Sequence, residues 1–178
     1  NQSGHILTIE DPIEFLFKHK KSIVNQRELG LDTHNWANAL KSAMRQAPDC
    51  ILIGEIRDRE TMQAAISYAQ TGHLCLATLH ANNSYHALNR VINFFALENR
   101  SALYLDLSVC LKAIVSQRLV RKADHSRMPA VEVMLNTKHI QELIAQGEIP
   151  SIKDAMEKSL APGSQTFEQD LLRLYTSG

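Results

Sequence analysis

The chain has 178 residues, enough for one domain with a sizeable hydrophobic core. Its 19 basic and 19 acidic residues leave no formal net charge, so the composition gives no indication of a nucleic-acid partner. No apolar run approaches the roughly 20 residues of a membrane-spanning helix, and the first residues lack a signal-peptide pattern. The three cysteines are odd in number and lie among apolar neighbours, which is typical of reduced core residues in a cytosolic protein.

Strands and helices are predicted to alternate through the first half of the chain. The segments HILTIED, KSIVNQRE, CILIGE and HLCLATLH have the composition of strands, the second a weak edge strand and the last a central one. Helical spacing begins near Thr33, with Thr33 or Asp32 as its cap, and a second helix includes Met62 and stops at Gly72. This alternation predicts an α/β fold with a mostly parallel sheet covered by helices on both faces.

The second half of the chain has a different pattern. A long helix is predicted to include Leu103 and Ile114, and two strands, SQRLVRK and AVEVML, follow it on either side of the polar loop ADHSRMP. From about Lys138 the spacing is helical, with LAPGSQ separating the last helices. These patterns predict a small helical subdomain at the end of the chain.

Polar side chains follow three of the predicted strands, and the residues concerned are Glu10, Asp11, Glu14, Glu55, Arg57, Thr78 and His80. In open α/β sheets, ligands bind beyond the carboxyl ends of the strands. Carboxylates hold Mg²⁺ directly or through water, and a further carboxylate can orient or deprotonate an attacking water. A histidine can hydrogen-bond a terminal phosphate. The pattern therefore predicts a phosphate-and-metal site.

Plainer interpretations exist for these residues. Glu55 could be a solvated residue after a core strand, although this explains poorly why an apolar run enters Gly-Glu-Ile-Arg-Asp. The acids from Glu10 to Glu14 could form a solvated turn around Asp11-Pro12. None of the 7 glycines belongs to a G-x-x-x-x-G-K-[ST] phosphate loop. Taken alone, the residues indicate part of an NTPase whose phosphate loop lies elsewhere.

Three ordered motifs resemble those of the secretion ATPases that drive type II secretion and type IV pili. MRQAPDCILIGEIRD resembles their Walker B signature, ILTIEDPIEF their aspartate box and TGHLCLATLHANN their histidine box. Further similarity in IVSQRLVRK, AVEVMLNT and GSQTFEQDLL extends the resemblance over nearly the whole chain. The chain is therefore identified as a member of this family.

Details place the resemblance in the retraction branch of the family. Assembly motors usually carry a four-cysteine zinc insert where this chain has only ADHSRMP. The segments RDRETM, CLATLHANN and INFF are more similar to the accessory PilU type than to the PilT type, and Gln141 stands where the PilT type has an arginine. The alternatives are a non-catalytic accessory subunit of the retraction ring, or an assembly or secretion ATPase without its zinc insert.

The resemblance implies a RecA-like P-loop NTPase core at residues 1–137, with its phosphate loop expected upstream, and a helical subdomain at residues 138–178. It also implies a cytoplasmic homohexamer that works with ATP and Mg²⁺ at the inner membrane. The implied partners are a pilus platform protein and a PilT-type paralogue, without nucleic acid or direct membrane insertion. The 178-residue chain alone is expected to have little or no ATP hydrolysis.

The resemblance also implies roles for single residues. Glu55 matches the Walker B glutamate that activates the attacking water, and Gly54 takes the place of the usual metal-binding aspartate. Glu14 matches the aspartate-box glutamate associated with Mg²⁺ and hydrolysis, and Asp11 supports that metal site. His80 is expected to face the γ-phosphate.

Two further assignments have less specific support. Glu10 is assigned to nucleotide binding with its neighbour Asp11. Arg57 is assigned to the same site and, with Asp58, to coupling with a neighbouring subunit; a local salt bridge is an equally good interpretation of this pair.

Overall fold

The computed structural model describes residues 3–177, and the chain divides between Leu79 and His80 into two compact units. The first unit is a parallel β-sheet with two α-helices. Its elements are β1 (His5–Glu10), β2 (Ile23–Glu28), α1 (Trp36–Ala43), β3 (Cys50–Ile53), α2 (Arg59–Gln70) and β4 (Leu74–Ala77). The sheet has the order β2-β1-β3-β4, and its three pairings are parallel. The predicted α/β class with a parallel sheet is confirmed.

One face of this sheet forms the core of the first unit. Four fully buried side chains stand side by side on it in the two middle strands, namely Leu7, Ile9, Ile51 and Ile53. Arg27 is level with Ile9 in the neighbouring strand and donates to Ser42 Oγ of α1 at 2.7 Å. The buried face therefore lies towards α1, as expected when βαβ crossovers return over the sheet.

The last strand of this sheet differs from its predicted place. Within residues 3–177, β4 lies at one end of the strand order, whereas the sequence predicted a central strand. Its side chains Leu74 and Leu76 are 53% and 48% exposed. An apolar run indicates a strand, but it does not show how many neighbours the strand has, because pairing depends on distant segments.

The helix caps of the first unit come from side chains close to each helix start. Asn35 caps α1 by accepting from Asn38 N at 2.8 Å, so the prediction of Thr33 or Asp32 is wrong by two or three positions. Thr33 instead forms an isolated bridge with Leu29. The predicted stop of α2 is confirmed, since Gly72 follows the helix with a φ of 92°, a conformation that glycine adopts without strain.

The second unit combines helices with an antiparallel hairpin. Its elements are α3 (Ser84–Asn93), α4 (Arg100–Cys110), β5 (Ala113–Arg121), β6 (Arg127–Leu135), α5 (Lys138–Gln146), α6 (Ile152–Glu157) and α7 (Phe167–Ser177). The hairpin and the late helices were predicted, whereas α3 was not. The predicted boundary after Thr137 falls between β6 and α5, inside this unit, and stays a prediction.

The core of the second unit joins the hairpin to the helices. Its fully buried apolar side chains include Leu88 of α3, Met134 of β6, Ile144 of α5 and Ile152 of α6. Helix α7 lies against β6, and Gln165 forms an antiparallel bridge with Val133 just before that helix. None of the helices between residues 3 and 177 is long and apolar enough to cross a membrane.

The cysteines are free thiols of intermediate burial, whereas the sequence predicted core positions for them. Burial, together with the neighbouring Cys50, raises the pKa of Cys75 to about 12. A thiol with so high a pKa is almost entirely protonated at neutral pH and is chemically unreactive.

Candidate active site

The ends of β1 and β3 bring two acids to the same edge of the sheet. The two strands are adjacent and parallel, Asp11 follows the first strand directly, and Glu55 lies two residues beyond the second. Arg57 joins them, with its Nε 2.7 Å from Glu55 Oε2 and its Nη1 3.4 Å from Asp11 Oδ2. The predicted grouping of Asp11, Glu55 and Arg57 is thus present in the structure.

The ion pairs of Asp11, Glu55 and Arg57 orient the side chains of this triad but add little to the stability of the fold. The side chain of Glu55 is 17% exposed, whereas Arg57 is 56% exposed and Asp11 is 37% exposed. The hydrogen bond and charge of Glu55 raise the pKa of Arg57, which therefore stays protonated. Solvent-exposed ion pairs add little to stability because water screens them. The contribution of Arg57 is to hold the two carboxylates in a defined arrangement.

Gly54 leaves no space for a side chain at the end of β3. Its backbone N donates to Ile9 O at 2.8 Å. A Cβ atom at this position would lie 3.0 Å from Ile9 O and 3.1 Å from Glu10 Cα, both backbone atoms of β1. An aspartate here would therefore require β1 to shift, whereas Asp11, directly after β1, adds a carboxylate beside Glu55 without such a shift.

Glu10 has a different place from the other acids. Its Oε1 accepts from Thr8 Oγ1 at 2.7 Å and from Gln26 Nε2 at 2.9 Å. The amide of Gln26 also donates to Phe15 O at 2.8 Å and accepts from Phe17 N at 2.7 Å. Glu10 therefore holds the Gln26 side chain, which in turn fixes the loop that follows β1.

Glu14 lies in that loop with an exposed carboxylate. The backbone on either side is held by β2, because Ile13 N donates to Glu28 Oε2 at 3.0 Å and Phe17 N bonds Gln26. Within residues 3–177, the Glu14 side chain has no hydrogen bond or ion pair. A fixed backbone with an uncommitted carboxylate is an arrangement that can serve an incoming cation.

Sequence reasoning missed Gln26 and Glu28, the two side chains that hold this loop. They alternate along β2 and are level with Thr8 and Glu10 of β1, so all four side chains share one face. The signal was available as two polar residues at alternate positions of a predicted strand. It could not be interpreted without the register between the strands.

The loop after β4 also meets the end of β3. Thr78 N donates to Ile53 O at 3.3 Å, and Thr78 O accepts from Ile56 N at 2.9 Å. The Thr78 hydroxyl donates to Gly54 O. Thr78 thus fixes the backbone on both sides of Glu55.

His80 and Asp58 complete the predicted set. His80 is an exposed residue at the start of the second unit, and its place facing a phosphate stays a prediction. Asp58 caps α2, since its Oδ1 accepts from Thr61 N at 2.8 Å. Arg57 thus forms the local salt bridge of the plainer interpretation, with Glu55, and in addition reaches Asp11, 46 positions away. The coupling of Arg57 and Asp58 to a neighbouring subunit stays a prediction.

The donor set is compatible with Mg²⁺ bound together with a phosphate ligand. Between residues 3 and 177, no group of three or more His, Cys, Asp or Glu side chains is arranged to hold a metal ion. Mg²⁺ usually takes only one or two carboxylates and completes its octahedron with waters and phosphate oxygens. Glu14 and Asp11 offer such carboxylates at an exposed edge.

The fold and these motifs are those of the secretion ATPase family. The chain belongs to the type II/IV secretion system protein family, whose model matches residues 1–147. Its sheet has the RecA-like P-loop NTPase fold, shared with a solved structure of the pilus retraction motor PilT with bound ADP. That structure matches with a TM-score of 0.90 and 43% identity, over 99% of this chain and 50% of the other.

Sequence relatives make the family assignment more particular. The type IV pilus ATPase PilU of Pseudomonas aeruginosa is 52% identical over 179 residues, which cover 100% of this chain and 47% of that protein. The type IV pilus retraction ATPase PilT of the same organism is 40% identical over 174 residues, covering 98% of this chain and 51% of the relative. The chain thus spans about half the length of the relatives it matches, and the predicted similarity to retraction ATPases is confirmed.

Proposed function

We propose that this chain forms most of the ATPase domain of a type IV pilus retraction motor and takes part in hydrolysing ATP. The observation that carries the proposal is the joining of Asp11 and Glu55 by Arg57 at the carboxyl edge of a parallel sheet. Ligands bind at this edge in open α/β folds. The similarity to PilU, to PilT and to a twitching motility protein of Neisseria gonorrhoeae supplies the biological context, pilus retraction and twitching motility.

Glu55 is the residue that orients and deprotonates the attacking water in this proposal. Phosphoryl transfer depends mainly on positioning and on charge stabilisation, so the carboxylate must be held in one orientation. Arg57 holds it through the Nε–H bond to Oε2. Thr78 fixes the backbone next to it through Gly54 and Ile56.

In this proposal, the residues of the aspartate box bind the metal ion. When bound, Mg²⁺ neutralises negative charge on the phosphate groups during transfer. Glu14 and Asp11 are the residues that would hold it, directly or through water. Glu10 keeps the loop in place through Gln26, and His80 would contact the terminal phosphate.

The proposed assembly is a homohexameric ring at the cytoplasmic side of the inner membrane. ATP binding would close the interfaces between neighbouring subunits, and hydrolysis would release them. The pilus platform protein and a PilT-type paralogue are the proposed partners. Since the site needs a phosphate loop that residues 1–178 do not contain, we propose that this part of the protein hydrolyses little ATP alone.

One structural feature favours a retraction motor over an assembly motor. The hairpin β5–β6 closes through a short turn in which Lys122 N donates to Ser126 O at 2.9 Å. Asp124 Oδ1 accepts from the backbone N and the hydroxyl of Ser126 at 2.9 and 2.6 Å. This turn has no zinc-binding insert of the kind that assembly motors usually carry.

The test is ATP hydrolysis by the full-length protein with Glu55→Gln and a matched control, Glu60→Gln, an exposed acid in the first turn of α2. We expect Glu55→Gln to lower kcat by at least about a hundredfold while nucleotide binding persists, since general-base catalysis contributes that much. Glu60→Gln should retain wild-type turnover. Unchanged turnover in Glu55→Gln would disprove the role of Glu55, and a wild-type protein without nucleotide binding would disprove the proposed function.

A further inference from the structure

An arginine of the β5–β6 hairpin forms hydrogen bonds with the backbone of the segment that follows His80. Arg118 of β5 donates from Nε and Nη2 to the backbone carbonyl of Asn82, at 3.0 and 2.9 Å. Two donors from one planar guanidinium on a single oxygen define its direction as well as its distance. The backbone two residues beyond the proposed phosphate-facing histidine is therefore held by a side chain from a distant part of the sequence.

Arg118 has a second contact on its other side. Its Cζ atom lies 4.3 Å from the centre of the Phe167 ring, a cation–π geometry. Phe167 is the first residue of α7 and is only 5% exposed, so its ring is a fixed platform. Arg118 thus connects the histidine segment, residues 80–84, with the start of α7.

Glu132 of β6 makes a second, independent connection to the histidine segment. Its side chain is buried, and its Oε1 accepts from both Ser84 N and Ser84 Oγ at 2.8 Å. Ser84 begins α3, and Asn83 caps the same helix by accepting from His86 N at 2.8 Å. A buried carboxylate is stable only with such donors, and a helix N-terminus is a favourable place for its charge.

The strand that carries Glu132 is itself fixed to α7 through Val131, the residue that precedes Glu132. Val131 N donates to Asp170 Oδ2 at 2.8 Å, and the Asp170 side chain is 1% exposed. Arg173 holds the other oxygen of this carboxylate, with Nη2 at 2.6 Å from Oδ1. Residues 82–84 are therefore linked to α7 by two routes, one through Arg118 and Phe167 and one through Glu132 and Asp170.

We propose that Arg118 and Glu132 are positioning residues that couple the histidine segment to α7, so that nucleotide bound at His80 changes the order of the C-terminal helices. The inference rests on the proposed function, because it takes His80 as the residue that contacts the terminal phosphate. Neither residue belongs to the proposed phosphate site, and both would act through the backbone of residues 82–84. By thermodynamic linkage, a change imposed on α7 would in turn alter the affinity for nucleotide.

The experiment is hydrogen exchange of the full-length protein, with and without a slowly hydrolysed ATP analogue, in wild type, Arg118→Ala and Glu132→Gln. We expect the analogue to slow exchange in residues 80–84 and in α7 of the wild type. In both variants, the slowing of α7 exchange by the analogue should be less than half of that in the wild type. The affinity for the analogue should change less than about threefold. Hydrolysis by the same variants should show a lower kcat with little change in KM, as expected of a positioning role.

Two further variants separate coupling from general loss of structure. Arg121→Ala removes from the same strand an exposed arginine whose side chain has no hydrogen bond or ion pair within residues 3–177, and it should behave as wild type. Phe167→Leu retains apolar bulk but removes the ring, and its α7 response should also decrease. If the variants of Arg118 and Phe167 kept the full α7 response, the proposed coupling would be wrong. A wild-type protein that binds no analogue would instead overturn the proposed function, and this inference with it.

Discussion

Arg57 donates its Nε–H to Oε2 of Glu55 at 2.7 Å, across a single intervening residue in the loop after β3. The same guanidinium reaches Asp11, 46 positions earlier in the chain. This relationship joins the acid assigned to water activation with the acid assigned to the metal. It gives Arg57 a function that does not depend on a neighbouring subunit.

The first prediction concerns that arginine in the full-length protein. Arg57→Ala should lower ATP turnover at least about tenfold, because a mispositioned catalytic group loses rate steeply. The melting temperature should change little, since Arg57 is 56% exposed and water screens its charge. The turnover of Arg57→Lys, which keeps the charge but lacks the planar guanidinium, should lie between those of the wild type and Arg57→Ala.

The control for this prediction is Arg45→Ala, which removes an exposed arginine whose side chain has no hydrogen bond or ion pair within residues 3–177. It should have wild-type turnover and melting temperature. Equal turnover in Arg57→Ala and Arg45→Ala would show that Arg57 does not orient Glu55.

The second prediction concerns the close approach at Gly54. Gly54→Ala should destabilise the protein by about 1–3 kcal/mol, because the added Cβ would press on backbone atoms of β1 that cannot rotate away. Urea unfolding measures the change. In the control Gly4→Ala, the nearest atom is an oxygen of the Asp49 side chain, which can turn aside at the cost of its bond to His5 N. A smaller loss at Gly54 than at Gly4 would contradict the interpretation.

The third prediction concerns Gln26, which holds the loop around Glu14. Gln26→Ala removes contacts to Glu10, Phe15 and Phe17 at once. Hydrogen exchange of residues 13–17 should become faster and ATP turnover should decrease, because Glu14 loses its fixed backbone. Asn25→Ala, an exposed position on the opposite face of the same strand, is the control and should leave both unchanged. Unaltered exchange in Gln26→Ala would exclude a role for this amide.

The fourth prediction is the pH dependence that Asp170 imposes. Burial opposes its ionisation, but the hydrogen bond from Val131 N and the contact with Arg173 outweigh burial and lower the pKa of this carboxyl. A lowered pKa in the folded state stabilises the protein above the ordinary pKa of about 3.9, and this stability is lost as pH falls through the lower folded value. Asp170→Asn should therefore reduce the melting temperature at pH 7.

The difference in melting temperature between wild type and Asp170→Asn should become smaller as the pH is lowered below 4. Thermal unfolding at several pH values measures this difference. The control Asp154→Asn changes an exposed acid and should show no comparable dependence. A constant difference across the whole range would mean that Asp170 acts through packing and not through its charge.

Much of the site was predictable because its signals are local in the sequence. Apolar runs that end in acids indicated β1 and β3, and the rule that parallel strands end at one edge predicted that Asp11 and Glu55 would lie together. The order of the three motifs indicated the family that the comparisons confirmed. The cap Asn35 and helix α3 were missed, although both also have local signals.

Amino-acid order alone determined the strands, most of the helices, the family and the identity of the acids at the sheet edge. Only the tertiary structure decided which partners hold them, because hydrogen bonds such as Gln26 to Glu10 and Ser84 to Glu132 join residues 16 and 48 positions apart. It also decided that a side chain at position 54 would crowd the sheet, since the space there is limited by the backbone of another strand. Such contacts depend on register and packing, which the periodicity of one segment does not contain.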